Sequence, residues 1–186
     1  MLDPASYEAW TCAGKLVPRR NPDGTLGYAW RKDTPPLESQ EEAKWVKAGL
    51  VKPDECRVFP EDVATKERIA LHEGSVCWNE HRKRWVLIAV QQFGKPAFLG
   101  EVWYAESPSP TGPWKRAVKI VTHDKYSFYN PAQHAFFDED GGRTIYFEGT
   151  YIYTFSGRTQ RTPLYDYNQV LYRLDLDDLR LKAVQE

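Results

Sequence analysis

Residues 72–114 limit the possible folds more than any other part of the chain. His72-Glu73-Gly74-Ser75-Val76-Cys77-Trp78-Asn79 is followed by a charged turn from Glu80 to Arg84, then by Trp85-Val86-Leu87-Ile88-Ala89-Val90. A Gly/Pro-containing turn leads into Glu101-Val102-Trp103-Tyr104-Ala105-Glu106-Ser107, and the stretch closes on Pro108-Ser109-Pro110-Thr111-Gly112-Pro113-Trp114. Short apolar and aromatic runs bounded by turn residues read as strands. The stretch therefore predicts three consecutive strands joined by hairpin turns.

The rest of the second half continues in the same way. Lys119-Ile120-Val121 is a short strand candidate. Residues 134–137 and 144–148 flank Asp138-Glu139-Asp140-Gly141-Gly142, a strong turn signal, and residues 167–174 form the last predicted strand. Two groups look like copies of one another, each with an entrance strand, a charged turn, an aromatic-rich strand and a third strand. They recur at a spacing of about sixty residues, which suits a propeller blade.

The first third differs. Residues 13–32 predict a hairpin turning at Asn21-Pro22-Asp23-Gly24, with residues 26–30 as the return strand, and Pro35-Pro36 stops it. Residues 37–50 predict one short helix, centred on 38–48, that ends at Gly49. Residues 53–66 read as a loop. The expected fold is all-β, an antiparallel β-propeller segment with one helix. Residues 1–66 would form a decorated partial blade, 67–122 a blade and 123–186 a further blade. About three blades do not close a ring, since propellers carry roughly four to eight. The expectation is therefore the C-terminal portion of a longer propeller, or self-association through open blade edges; a stand-alone β-sandwich interaction domain is the alternative.

Composition excludes several classes of function. The net charge of -1 points to neither nucleic acid nor an acidic membrane surface. The basic cluster His81-Arg82-Lys83-Arg84 falls in a predicted turn. Aromatic residues make up 14% of the chain, enough for stacked sheets or for a surface that grips flat rings. The three cysteines match no metal spacing; Cys77 falls in a strand, and Cys12 and Cys56 are either free or paired. No apolar run reaches membrane-spanning length, and Met1-Leu2-Asp3-Pro4 opens no secretory signal. A soluble chain with no membrane partner is expected, and a secreted or periplasmic location is left open for a longer form. Phosphate-loop, dinucleotide and nucleophile-elbow motifs are absent.

On these residues, positions 69–180 resemble the five-bladed propellers of the arabinanase/xylosidase class of glycoside hydrolases. Three segments carry the resemblance: Glu73-Gly74 ahead of a strand, Ser107 to Trp114 with its Gly-Pro-aromatic end, and Asn130-Pro131-Ala132-Gln133-His134. The resemblance implies that Glu73 is a general acid and that His134 faces a central channel, where a divalent cation is a possible cofactor. It implies no other metal. The family's partner aspartates have no equivalent here; the Gly74-Ser75 that follows Glu73 also departs from the family's usual Gly-Pro or Gly-Ala.

Hydrolysis of a glycosidic bond needs two carboxyl groups across the scissile bond. Glu73 and Glu148, the latter in an otherwise apolar strand, are the catalytic candidates. His72, Trp78, Trp103, Tyr129, Asn130, His134 and Asp166 are the candidate substrate-binding residues, through ring stacking or hydroxyl recognition. Each has a structural alternative: Glu73 a strand entrance, His134 a hydrogen-bonded core residue, and the aromatics interior packing. The expected ligand is a carbohydrate, either hydrolysed or bound without turnover.

Overall fold

The computed structural model describes residues 4–14, 17–95, 97–123, 126–154, 156–157, 159–162 and 165–185. The chain is mostly β, with antiparallel sheets and, among the described residues, one short α-helix. Strands β1 (Ala9–Thr11) and β2 (Ala29–Arg31) pair antiparallel in the N-terminal layer. Between them, bridges join Ala13 to Pro18 and Arg20 to Leu26. The hairpin turns at the predicted place: Gly24 N–H donates to Asn21 O at 2.9 Å, and Gly24 takes a φ of 85°. Its paired strands lie further out than the sequence suggested, and residues 15 and 16 lie outside the described residues. The helix α1 (Ser39–Lys47) follows and stops at Gly49, whose φ of 69° lets the chain reverse.

The predicted loop 53–66 contains a 3-10 turn (Pro53–Glu55) and β3 (Glu61–Asp62). Then come β4 (Leu71–Asn79), β5 (Arg84–Gln91), β6 (Glu101–Ser107) and β7 (Arg116–Thr122). They form one sheet in the order β3-β7-β6-β5-β4, an up-and-down meander with β3 added in parallel to β7. A second meander, β8 (Ser127–Gln133), β9 (Thr144–Ile152) and β10 (Tyr167–Asp175), forms a three-stranded sheet. All three sheets are open; none closes on itself among the described residues.

One strand assignment is corrected. Residues 134–137 are not a strand: Ala135–Phe137 is a 3-10 turn, with Phe136 and Phe137 exposed. The strand that enters the sheet is the polar segment before it. Pro131, which has no N–H to offer the ladder, sits in a bulge between Tyr129 and Ala132. Asn130 takes a φ of 50° in the same bulge.

The layers stack through two apolar interfaces. Val86, Ile88, Val102, Tyr104 and Val118 on one face of the five-stranded sheet pack on Phe128, Ile145, Phe147 and Leu174 of the three-stranded sheet. Gly149 lets the Phe128 ring lie against β9; a Cβ there would stand 2.2 Å from that ring. The opposite face of the five-stranded sheet carries Leu87, Ala89, Trp103 and Ala105, covered by Ile69, Trp114 and Val58. Strand β5 is thus buried on both faces, which explains its unbroken apolar run. Two polar links register the sheets: Gln133 N–H donates to Ser75 Oγ at 2.7 Å, and Asn79 Nδ2 donates to Gly142 O at 2.8 Å.

The N-terminal layer is organised by a buried carboxylate. Glu42 of α1 is fully buried, and it accepts from Arg57 N and Val58 N, both at 2.8 Å, and from the Tyr28 hydroxyl. Burial pushes its carboxyl above the ordinary carboxylate range, opposed by those donors. Cys12 and Cys56 lie in the adjoining apolar cluster as free thiols, which burial raises to about 11 and about 12. Cys77 is also free.

Glu42→Ala would leave two backbone donors and a tyrosine hydroxyl without their acceptor. The expected loss is about 3 kcal/mol, read as a lower urea midpoint. Glu42→Gln recovers only part of it, because its amide nitrogen cannot accept. An unchanged midpoint in Glu42→Ala would refute this role for the clamp.

Candidate functional site

A cavity of about 380 Å³ opens between residues 36–39, which lead into α1, and the start of β4. Its position follows from local hydrogen bonding. Ser39 Oγ accepts from Leu71 N at 3.0 Å and meets Ile69 O at 3.4 Å, which holds the segment before the helix against β4. Gln92 Nε2 donates to Leu71 O at 3.0 Å and steadies the other side. The wall is apolar: Leu71, Val76, Leu87, Val58 and the Trp114 ring. Trp114 is 4% exposed, so packing holds its ring, and its backbone N–H donates to Arg57 O at 2.7 Å.

Three ionisable side chains line this cavity: His72, Glu73 and Glu38. All three are exposed, and none has a hydrogen-bond or ion-pair partner among the described residues. Gly74 explains how the strand presents Glu73. Gly74 lies opposite Ala89, beside a register shift between Leu71 and Gly74. A Cβ on Gly74 would stand 2.3 Å from Ile88 O and 2.7 Å from Ala89 Cβ, so only glycine lets β4 press this closely on β5.

The second group lies on the outer face of the three-stranded sheet. His134 Nε2 meets Glu148 Oε1 at 2.9 Å. Thr150 Oγ1 donates to Gln169 Oε1 at 3.2 Å, and Gln169 also bonds Glu148. The hydrogen bond from His134, then that from Gln169, holds the Glu148 carboxyl below its ordinary value. Glu148 is therefore set up as an ionised acceptor rather than a proton donor. The His134 ring also packs on Phe136, with ring centres 5.3 Å apart.

The predicted residues do not converge on one place. His72 and Glu73 share the cavity; His134 and Glu148 form the hydrogen-bonded pair; the cavity lined by Glu73 is not lined by Glu148. Tyr129 is half-buried and paired across the ladder with Thr150, while Asn130 is exposed. Asp166 is exposed at 3.9 Å from Arg161 Nε. Trp78 is 39% exposed, with its ring edge on Trp85 and its Nε1 donating to Glu80 at 2.7 Å. Trp103 is placed in the core: it is 3% exposed, donates to Gln91 Oε1 at 2.9 Å and carries Lys119 over its ring at 5.2 Å. The packing of both sheet faces leaves it no surface on which to stack a sugar.

Glu38 was not among the residues expected at the site. Its only sequence signal was its position after Pro35-Pro36 and just ahead of α1. Nothing local ties that position to β4, more than thirty residues on. Among the described residues no group of three or more His, Cys, Asp or Glu comes together to hold a metal ion, so His134 meets Glu148 without a further ligand of that kind. Among the same residues no helix is long and apolar enough to cross a membrane. No family model, curated protein or solved structure matches the chain.

The His134–Glu148 geometry gives a pH prediction. Glu148 titrates below its ordinary value of about 4.3, so the stabilisation from the pair is present above that pH. It is lost as pH falls through the depressed folded-state value. Carboxyl-carbon NMR of the Glu148 resonance should show that low titration, with His134→Ala moving it upward. A titration indifferent to His134→Ala would rule out the coupling.

Proposed function

We propose that the chain is a propeller segment that acts on carbohydrate, with its glycan site in the cavity beside β4. The observation that carries this reading is the cavity itself: two carboxylates, Glu38 and Glu73, and the His72 imidazole stand around a mainly aliphatic wall of Val58, Leu71, Val76 and Leu87. An apolar wall with a few converging polar groups suits the CH faces and hydroxyls of a sugar ring, and the volume lies in the range of small-molecule sites. The propeller reading rests on connectivity. Two successive up-and-down meanders stack face to face, and the first strand of each, β4 and β8, lie against one another through Ser75 and Gln133. A sandwich interaction domain would more often cross between its sheets in Greek-key order.

In this reading Glu73 protonates the leaving oxygen and Glu38 activates water or attacks, the two-carboxyl arrangement that glycoside hydrolysis requires. Glu148, held ionised by His134, is assigned no proton-donating step. One observation favours binding without turnover as a second reading. Both cavity carboxylates are exposed, whereas an acid catalyst needs its charged form destabilised by burial or a like charge.

The test is a panel of aryl glycosides and oligosaccharides assayed with the chain and with Glu73→Gln and Glu38→Gln. Hydrolysis lowered about a hundredfold or more by each substitution supports catalysis. Saturable glycan binding with no turnover, weakened by either substitution, selects the binding reading. Turnover or binding that survives both changes unaltered would sink the assignment of this cavity.

A further inference from the structure

We infer that the chain binds a small organic cation of the quaternary ammonium type in an open cavity beside the β1–β2 hairpin. The antiparallel pairing of β1 with β2 brings the residues ahead of β1 alongside those that follow β2. Tyr7 and Glu8 thereby share one cavity, of about 640 Å³, with Trp30 and Asp33. Trp10, directly opposite Trp30 in the ladder, meets its ring at 62° with centres 5.5 Å apart. Trp30 is 57% exposed and Tyr7 56%, so both offer ring surface to a ligand. Pro35 and Pro36 stiffen the wall where the chain heads toward α1, and Pro36 is the one residue this cavity shares with the cavity beside β4.

The charge of the cavity is one-sided. Glu8 and Asp33 are exposed, and neither side chain has a hydrogen-bond or ion-pair partner among the described residues. No basic side chain lines the cavity, and its two other residues, Ala9 and Thr34, are uncharged. The basic residues close by are placed elsewhere. Arg31 donates to Gly27 O at 3.1 Å, and Lys32 is exposed outside the lining with no ion pair among the described residues. Arg57 stands over the Trp10 and Tyr28 rings at 5.9 and 5.2 Å, held by Thr111 O and Gly112 O. Trp30 and Tyr7 are left as rings with no cation over them among the described residues. A cation is drawn to the negative face of an aromatic ring, and the two carboxylates add attraction of the same sign. Compact ammonium and metal ions hold their water tightly, which an open cavity does not replace. A quaternary ammonium ion carries methyl groups in place of N–H donors, so it packs on the rings without hydrogen-bond partners.

The experiment titrates choline into the intact chain, following heat and thermal midpoint, beside its uncharged isostere dimethylbutanol, in which carbon replaces the nitrogen. Sodium chloride holds the ionic strength constant. The expected result is saturable choline binding, about tenfold or more tighter than that of the isostere. Phosphocholine, whose phosphate the carboxylates repel, should bind more weakly than choline. Trp30→Ala, at an exposed position, should still fold and weaken choline about fivefold or more, with Trp30→Tyr recovering part of the affinity. The double variant Glu8→Gln/Asp33→Asn should weaken choline and leave the isostere unchanged; asparagine tolerates the φ of 52° at position 33. The inference is overturned by absence of saturable choline binding, by isostere or phosphocholine affinity equal to that of choline, or by full choline affinity in Trp30→Ala or the double variant.

Discussion

The apolar layer between the two sheets is the constraint on which the rest depends. Val86, Ile88 and Tyr104 meet Phe128, Ile145 and Phe147 there, all 2% exposed or less. Neither meander could stand alone, because each would leave one face of aromatic and branched side chains in water. Stacking them fixes β4 beside β8 and turns the other face of the five-stranded sheet toward the N-terminal layer. The cavity exists because that second face is covered incompletely. Residues 36–39 reach β4 through Ser39 and leave a space in front of Trp114 and Leu87.

Buried polar groups give the stacked layers their register. Asn79, fully buried, donates to Gly142 across the sheets and accepts from Arg82 N at 2.8 Å, so the tip of one meander is tied to the turn of the other. Arg82 in turn holds Glu106 against Tyr104. Removing one member of such a network leaves the others desolvated and unpaired, which costs more than the bond itself contributes. These links specify position, while the apolar layer supplies the drive to associate.

Much of the strand architecture was legible in the sequence, and the reasons are local. Trp85-Val86-Leu87-Ile88-Ala89-Val90 could be read because both its faces are buried, and Asp138 to Gly142 because its glycines take positive φ at 66° and 93°. Strand β8 was not legible. Asn130-Pro131 has the chemistry of a turn, and only pairing with β9 makes the bulge that tolerates it. The apolar Ala135-Phe136-Phe137 drew the assignment instead, although those rings face solvent. Trp103 misled for a related reason, since a tryptophan in a strand looks the same from sequence whether its face is covered or open. Glu38 was invisible because its link to Glu73 is tertiary.

Glu42 and Glu73 show how one residue type is put to different ends by its surroundings. Glu42 is sealed under the N-terminal layer, its oxygens committed to Arg57, Val58 and Tyr28, and burial raises its carboxyl. That saturation leaves it no role toward a ligand. Glu73 lines a cavity with its side chain exposed and, among the described residues, its oxygens uncommitted, so they are open to whatever enters. Exposure leaves Glu73 free to meet a ligand, where burial has committed Glu42 to the fold.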